Sequence, residues 1–287
     1  MNVGGHDIGV CSWSVQSAAT PTSAQASTAE LIAHLDALKL DHVQLYLGTL
    51  LDADEEARQA SINLLADAEI AITAGMIGFA GESYATIASI RQTGGLVPES
   101  SWLARRDRAI AAAELAKRIG IEGVSTHVGF IPPTRDPGYA AVVDRIRSVV
   151  HEFEQRNVVM LFETGQEKDN ELLQFLNDLN SPYAGVNFDP ANMILYGAGD
   201  PIEAIETLGR HIRHVHIKDA TLSTKPGTEW GKEVPFGSGQ VPVHAFLRAL
   251  RDIGYDGPLV IEREAGDSRL QDVRQAIDTL VAHLGNN

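Results

Sequence analysis

The chain of 287 residues carries 23 Lys and Arg against 38 Asp and Glu, a formal net charge of −15, and is 44% hydrophobic and 21% charged. This composition is typical of a globular protein and excludes a disordered one. The acidic balance repels phosphate backbones and anionic lipid surfaces, so we expect neither a nucleic acid nor a membrane as partner. The densest basic stretch, residues 105–108, is short and predicts the first turn of a solvated helix.

The one cysteine, Cys11, can form no disulfide within the chain and no thiolate zinc site. It lies in the apolar run Ile8–Cys11, which favours a buried core thiol over a nucleophile. No apolar run approaches the roughly 20 residues of a membrane-spanning helix, and residues 1–7 lack the pattern of a signal peptide. We therefore expect a cytoplasmic protein.

Short apolar runs rich in β-forming residues recur along the chain, each followed by an amphipathic stretch. Eight strands are predicted, one for about every 36 residues, which suits one βα unit. Their bounds are Ile8–Ser12, His42–Leu47, Ile70–Met76, Gly123–His127, Val158–Glu163, Tyr183–Asp189, Ile212–Ile217 and Leu259–Glu262. The pattern predicts an α/β fold, a single (β/α)8 TIM barrel, with one domain over residues 1–287. No G-x-G-x-x-G follows any strand, which argues against a doubly wound sheet.

Start signals precede several of the predicted helices. Ser27 and Glu30 have the spacing of a capping box, and Asp54 with Glu55 places negative charge on a first turn. We therefore expect helices to begin near Ser27 and near Asp54. Residues 78–98 form the longest irregular stretch, which predicts a loop over one end of the barrel.

Polar side chains close four consecutive strands of the predicted barrel. In such a barrel the active site lies at the carboxyl ends of the strands. The polar residues that end strands five to eight are, in this order, Glu163, Asp189, His216 and Glu262. Because side chains alternate faces along a strand, all four converge at the barrel mouth if these faces point inward.

These four residues indicate a metal site. Three carboxylates held close together repel one another and raise each other's pKa, and a divalent cation removes that repulsion. Three oxygen ligands and one imidazole suit one ion of Mn²⁺, Mg²⁺, Co²⁺ or Zn²⁺. The alternative is that any single residue is a helix N-cap or a solvated loop residue, and Asp189 before Pro190 also fits a plain turn. Matching parity on four adjacent strands favours the metal.

Other residues near the strand ends are candidates for substrate binding, each with a structural alternative. His127 closes strand four and either binds substrate or lies in the core. Lys218 holds a phosphate or hydroxyl, or is a surface charge. Trp13 stacks on a sugar face or fills the barrel, while Trp230 lies in a Gly-rich loop that suggests a wall or lid. His214 is interpreted as a hydrogen-bonded histidine of the barrel interior.

Three further features follow strands seven and eight. Asp219 and Glu264 are reserve carboxylates for metal ligation or proton transfer. Gly237–Gly239 lies after strand seven, where some barrels bind phosphate, and suggests a phosphate site.

Five motifs carry a resemblance to a known family. They are E-T-G (163–165), N-F-D-P-A-N (187–192), H-V-H-I-K-D (214–219), G-S-G-Q-V (237–241) and Y-D-G-P-L-V-I-E (255–262). With them the chain resembles the xylose isomerase-like TIM barrel superfamily, which contains sugar phosphate isomerases and epimerases, ketose 3-epimerases and inosose dehydratases. In the ketose 3-epimerases one metal is held by residues of strands five to eight, which implies as ligands Glu163, Asp189, His216 and Glu262. The resemblance also implies that Glu163 and Glu262 are the acid–base pair.

Two positions depart from the 3-epimerase pattern. Those enzymes carry a histidine three residues after the metal-binding aspartate, where this chain has Asn192. They carry an arginine six residues after the metal-binding histidine, where this chain has Leu222. Both family residues contact substrate hydroxyls, so the metal site carries over better than the sugar specificity. Asn192 stays a candidate for substrate binding.

The predicted site supports proton transfer next to a carbonyl. A metal that chelates a ketone oxygen and a neighbouring hydroxyl acidifies the C–H between them, and two glutamates can remove and return the proton. We predict a divalent-metal-dependent sugar isomerase or epimerase that acts through an enediolate on a ketose, a keto-polyol or a sugar phosphate. The alternative is a metal-dependent dehydratase or lyase of the inosose dehydratase type. The charge and the few histidines disfavour an endonuclease IV-like DNA-repair nuclease. The expected partner is a small-molecule carbohydrate, and a homo-oligomer stays open.

Overall fold

The computed structural model describes residues 1–16 and 23–285. Within them, eight parallel strands pair in chain order and the last pairs with the first, so the barrel closes. The strands, numbered one to eight below, are His6–Cys11, His42–Tyr46, Ala71–Met76, Gly123–Thr126, Val159–Glu163, Ala184–Phe188, Ile212–Ile217 and Leu259–Ile261. The prediction of a (β/α)8 TIM barrel is confirmed.

One outer helix follows each strand and covers the barrel. These helices are Ala24–Leu38, Glu55–Asp67, Trp102–Ile119, Tyr139–Glu154, Asp169–Leu179, Pro201–Leu208, Val243–Asp252 and Arg269–Leu284. Their apolar faces pack on the outward side chains of the strands in one hydrophobic core. Met160 and Phe162 of strand five are fully buried, as expected for a parallel sheet covered by helices. No helix in the described part of the chain is long and apolar enough to cross a membrane.

Shorter elements complete the two ends of the barrel. The short helices are Ser12–Val15, Gly48–Leu51, Ile87–Thr93 and Pro190–Tyr196, with 3-10 turns at Glu99–Ser101 and Gly209–His211. Asn2–Val3 pairs antiparallel with strand one. After strand seven, Asp219–Thr221 and Lys232–Val234 form an antiparallel pair.

The helix start signals predict one N-terminus correctly and miss another. Asp54 caps the second outer helix as predicted, since its side chain accepts the backbone N–H of Ala57 at 2.8 Å. The first outer helix starts earlier than predicted, because Ser23 is its N-cap and accepts the N–H of Ala26 at 3.1 Å. Ser27 lies inside this helix and is buried. Capping-box spacing alone does not show which of two nearby serines is the N-cap of the helix.

Within the predicted basic stretch, Arg105 is buried and not solvated as expected. Arg105 is 5% exposed, and its guanidinium donates to the backbone carbonyls of Gly95 and Ala80. It also lies 5.4 Å from the centre of the Phe79 ring. The segment 78–98, predicted as irregular, contains the helix Ile87–Thr93 and is held to the barrel by this arginine.

Candidate metal centre

Strands five to eight bring the four predicted ligand side chains to one point. Their ligand atoms all lie within 4.8 Å of one another, in a group that could hold a metal ion: Glu163, Asp189, His216 and Glu262. We call these four residues the ligand cluster. None of them is more than 5% exposed. Glu163 ends strand five, and Asp189 follows strand six and caps the short helix Pro190–Tyr196. Asp189 is therefore both a helix N-cap and a member of the ligand cluster.

His216 turns one ring nitrogen toward the carboxylates and the other away. Nδ1 lies 3.1 Å from Glu262 Oε2, 3.3 Å from Asp189 Oδ2 and 3.7 Å from Glu163 Oε1. On the far side of the ring, Nε2 lies 2.6 Å from Gln44 Oε1. A proton on Nε2, donated to this oxygen, leaves the Nδ1 lone pair free for a metal, which is how metal-binding histidines are usually oriented. The donor set thus fits a divalent cation.

The two glutamates of the ligand cluster differ electrostatically. Burial raises the pKa of the Glu163 carboxyl, and the nearby imidazoles of His127 and His216 offset only part of this effect. Burial also disfavours the Glu262 carboxylate, but Lys218 and His216 outweigh it and hold its pKa well below the ordinary value. A bound divalent cation would favour the charged form of both carboxylates.

Two amides hold the carboxylate of Glu163. Asn192 Nδ2 donates to Oε1 at 2.8 Å, and Asn187 Nδ2 donates to Oε2 at 3.3 Å. His127 Nε2 lies 3.7 Å from Oε1. Asn187 was not predicted as a site residue, although it shares the parity of Asp189 on strand six, and that signal could have identified it.

Glu262 is held by an indole and an ammonium group. Trp13 Nε1 donates to Oε1 at 2.7 Å, and Lys218 Nζ donates to Oε2 at 2.8 Å. Trp13 lies in the short helix Ser12–Val15, which directly follows strand one. Lys218 is 2% exposed, which rules out the surface alternative. Its ammonium also binds Glu264 Oε2 at 2.8 Å, so this reserve carboxylate is paired.

A cavity of about 560 Å³ opens above the ligand cluster. Its lining includes Glu163 and Glu262 together with the predicted substrate-binding residues Trp13, His127, Asn192 and Trp230. Tyr84 and Tyr196 also line the cavity, and we call Tyr84, Tyr196 and Trp230 the aromatic wall. The rings of Tyr196 and Trp230 meet edge to face with centroids 4.7 Å apart, and Trp230 Nε1 donates to the backbone carbonyl of Tyr84 at 3.2 Å.

Known proteins share this barrel fold. The sequence profile of the xylose isomerase-like TIM barrel matches residues 32–283. The chain belongs to this family.

Three similar proteins show how far the likeness goes. A xylose isomerase domain protein from Planctomyces limnophilus is 35% identical, with a TM-score of 0.83 over 89% of this chain and 93% of that chain. A family protein from Mycobacterium smegmatis, solved in complex with magnesium, has a TM-score of 0.75 at 17% identity over 100% of this chain and 99% of that one. The L-ribulose-5-phosphate 3-epimerase UlaE of Salmonella paratyphi C is 32% identical over 116 residues, which is 40% of this chain and 38% of that protein. Matches to such curated relatives span less than half of their length.

In this family member the loop after strand seven is built around a carboxylate of its own. Asp219 Oδ2 accepts the backbone N–H groups of Gly237 at 3.0 Å and Gly239 at 2.8 Å, and Oδ1 accepts that of Val241 at 2.9 Å. A Cβ at Gly239 would lie 2.3 Å from Asp219 Oδ1, so glycine is required there. The suggestion of a phosphate site at this loop is therefore wrong. Asp219 is likewise not a reserve ligand, because its oxygens hold the loop.

Two interior predictions are confirmed. His214 is 1% exposed, with Nδ1 2.8 Å from Asn187 Oδ1 and Nε2 3.0 Å from Thr73 Oγ1. Burial lowers its pKa well below the ordinary value, so it is neutral. Cys11 is buried, and burial raises the pKa of its thiol to about 12, which excludes a thiolate nucleophile at neutral pH.

Proposed function

We propose that this protein is a divalent-metal-dependent sugar isomerase or epimerase that transfers a proton next to a ketone through an enediolate. One observation carries the proposal: four ligand atoms from four adjacent strands lie within 4.8 Å of one another at the barrel mouth. The ligand cluster would hold one divalent ion. When bound, the ion supplies positive charge that polarises a ketone oxygen and stabilises the enediolate.

The acid–base pair of this proposal is Glu163 and Glu262. Both line the cavity, and Glu163 ends strand five while Glu262 directly follows strand eight. Each carboxylate is fixed by a neutral donor, Asn192 for Glu163 and Trp13 for Glu262. One glutamate removes the proton from the carbon next to the ketone. The other returns it to the opposite face or to the neighbouring carbon, which gives an epimer or an isomer.

The remaining lining residues orient the substrate. His127 and Asn192 present polar atoms to the cavity beside Glu163 and are assigned to substrate hydroxyls. Trp13 and Trp230 present aromatic surface to the same space. Lys218 is assigned instead to the positioning of Glu262, since its ammonium is buried against that carboxylate.

Proton exchange with solvent tests the proposal. Metal-loaded protein is incubated in D₂O with a panel of ketoses and keto-polyols, and NMR follows deuterium at the carbon next to the carbonyl. We expect exchange and a new epimer or isomer with the wild type, and neither with Glu163→Gln or Glu262→Gln. The exposed Glu122→Gln is the matched control and should behave as the wild type. Bound metal without exchange for any compound of the panel would contradict the proposal.

The same assay separates the alternative chemistry. A dehydratase uses the same enediolate but expels a β-hydroxyl, so water is lost and the product mass falls accordingly. Exchange with retained mass supports the isomerase or epimerase, whereas loss of water assigns the site to a lyase.

A further inference from the structure

We infer that the substrate is an uncharged, unphosphorylated carbohydrate whose keto-sugar end meets the ligand cluster and whose second ring packs on the aromatic wall. This inference rests on the proposed function, because it takes the cavity above the ligand cluster as the substrate site. It narrows the substrate class within that function.

The charge of the cavity lining excludes a phosphate group. Among the described residues that line it, four are glutamates and none is Lys or Arg: Glu82, Glu163, Glu262 and Glu264. A phosphate monoester carries about −1.5 to −2 charges at neutral pH, and the described lining offers no lysine or arginine to neutralise them. Phosphate sites in proteins supply Arg, Lys or free backbone N–H groups instead.

Two cations near the cavity, Lys218 and Arg105, are already committed to other partners. The Lys218 ammonium has three N–H donors, and these meet Glu262 Oε2, Glu264 Oε2 and Asn192 Oδ1 at 2.8, 2.8 and 3.3 Å. Arg105 is buried under the segment 78–98 and donates to backbone carbonyls there. Neither side chain has a free face for a phosphate.

The backbone N–H groups that could bind a phosphate after strand seven already have an acceptor as well. The loop after strand seven is where barrels of this type often bind phosphate. Here the N–H groups of Gly237, Gly239 and Val241 are all donated to Asp219. Residues 17–22, whose placement the structure does not describe, are Ser, Ala, Ala, Thr, Pro and Thr and so bring no cation.

The size of the cavity leaves room for a second ring. Its volume of about 560 Å³ lies in the range of roughly 300–1,000 Å³ that holds drug-sized ligands. The aromatic wall faces this space, and it is continued by the apolar side chains of Met76 and Leu195. Aromatic faces pack against the C–H faces of sugar rings, whereas a charged group placed there would lose its hydration without a partner. A second sugar ring or an uncharged aglycone is the occupant that fits.

Matched ligands test the inference by binding, independently of turnover. Fructose, fructose 6-phosphate and lactulose, a disaccharide with a ketose end, are titrated into metal-loaded protein by calorimetry. We expect fructose to bind about tenfold more tightly than its 6-phosphate, and lactulose more tightly than fructose. Inorganic phosphate is titrated alone to correct for direct binding to the metal. Tighter binding of the 6-phosphate after this correction overturns the inference, and so does the absence of binding by both neutral ligands at millimolar concentration.

A gain-of-function variant makes the test sharper. Leu195→Arg places a cation in the lining without changing the ligand cluster, and Leu195→Met is the matched control. If the missing cation is what excludes phosphate, Leu195→Arg should bind the 6-phosphate about tenfold more tightly than Leu195→Met does. An unchanged affinity in both variants overturns this part of the argument.

The deuterium-exchange assay keeps this inference and the proposed function apart. Faster exchange with ketose phosphates than with neutral ketoses would refute the inference and leave the function intact. Binding of lactulose without any exchange would refute the function and leave the assignment of the cavity intact.

Discussion

The floor and the wall of the cavity are built differently. The floor is the ligand cluster, whose members sit in or directly after parallel strands and are at most 5% exposed. The wall is drawn from segments after strands three, six and seven, and its Tyr84 is 48% exposed. Rigid strand ends can hold like charges close together for a metal, whereas loops can vary in shape without disturbing them. We therefore propose that the floor carries the chemistry and that the wall carries the choice of substrate.

The largest expected effect comes from removing one charge of the floor. Glu163→Gln keeps the shape of the side chain but removes the base and one anionic ligand. We expect kcat/KM for deuterium exchange to fall by about 10²–10⁴-fold, because general acid–base catalysis contributes that much. Metal affinity should fall as well, as calorimetry will show. Full activity in this variant, with the Glu122→Gln control unchanged, would remove Glu163 from the mechanism.

The next largest effect is expected from removing the side chain that orients His216 in the floor. Gln44 accepts from His216 Nε2, so Gln44→Leu frees the imidazole to turn or to change tautomer. Loss of such a partner costs about 10–100-fold in metal affinity. Thr73→Val is the matched control, since Thr73 contacts His214 and no member of the ligand cluster. An equal loss of affinity in both variants would mean that general packing, and not the orientation of His216, is responsible.

Glu167 is a buried carboxylate outside the ligand cluster, so it shows the effect of burial on a carboxyl pKa in the absence of metal binding. Glu167 is 7% exposed and accepts a long bond of 3.4 Å from the backbone N–H of Ile131. Burial raises the pKa of Glu167 from 4.5 to about 8, so the folded state keeps a proton that the unfolded chain releases. Its contribution to stability is therefore present at low pH and is lost as the pH rises toward about 8.

Glu167→Gln should remove this dependence. At pH 8 to 9 we expect the free energy of unfolding of the variant to exceed that of the wild type by on the order of 2 kcal/mol, and at pH 5 we expect little difference. Urea unfolding at both pH values measures this, with Glu122→Gln as the exposed control. The same difference at both pH values would show that the carboxyl is not protonated in the folded state.

The smallest effect is expected at the wall. Trp230→Ala removes an edge-to-face contact with Tyr196 and part of the surface for the second ring. We expect KM to rise about tenfold while kcat and metal affinity stay near their original values, because a uniform binding contact is lost. Lys225→Ala, an exposed change in the same loop, should leave KM unaltered. A fall in kcat with unchanged KM would place Trp230 in the chemistry instead.

The floor was predictable from the sequence and the wall largely was not. Strand parity alone brings Glu163 and Glu262 to one point, since the barrel fixes where each strand ends. Tyr84 and Tyr196 gave no such signal, because their positions depend on contacts between loops. The bond from Trp230 to the Tyr84 carbonyl joins residues 146 positions apart.

Lys218 and Asp219 show why neighbours in sequence can differ in role. Strand parity sends Lys218 inward, where the partners that bury its charge come from strand eight and from the helix after strand six. Asp219 starts the antiparallel pair and turns to backbone N–H groups about 20 residues further along. Neither set of partners is visible in the local sequence pattern. The surface alternative for Lys218 and the reserve-ligand prediction for Asp219 were therefore wrong.

Metal titration of the purified protein tests the central claim most directly. Calorimetry with Mn²⁺, Mg²⁺, Co²⁺ and Zn²⁺ is run on the metal-stripped wild type beside Asp189→Asn and His216→Ala, with Thr73→Val as a folded control. We predict one divalent ion per chain in the wild type and the control, and no saturable binding in the two ligand variants. A wild type that binds no divalent ion at millimolar supply, or ligand variants that bind as tightly as the wild type, would contradict it.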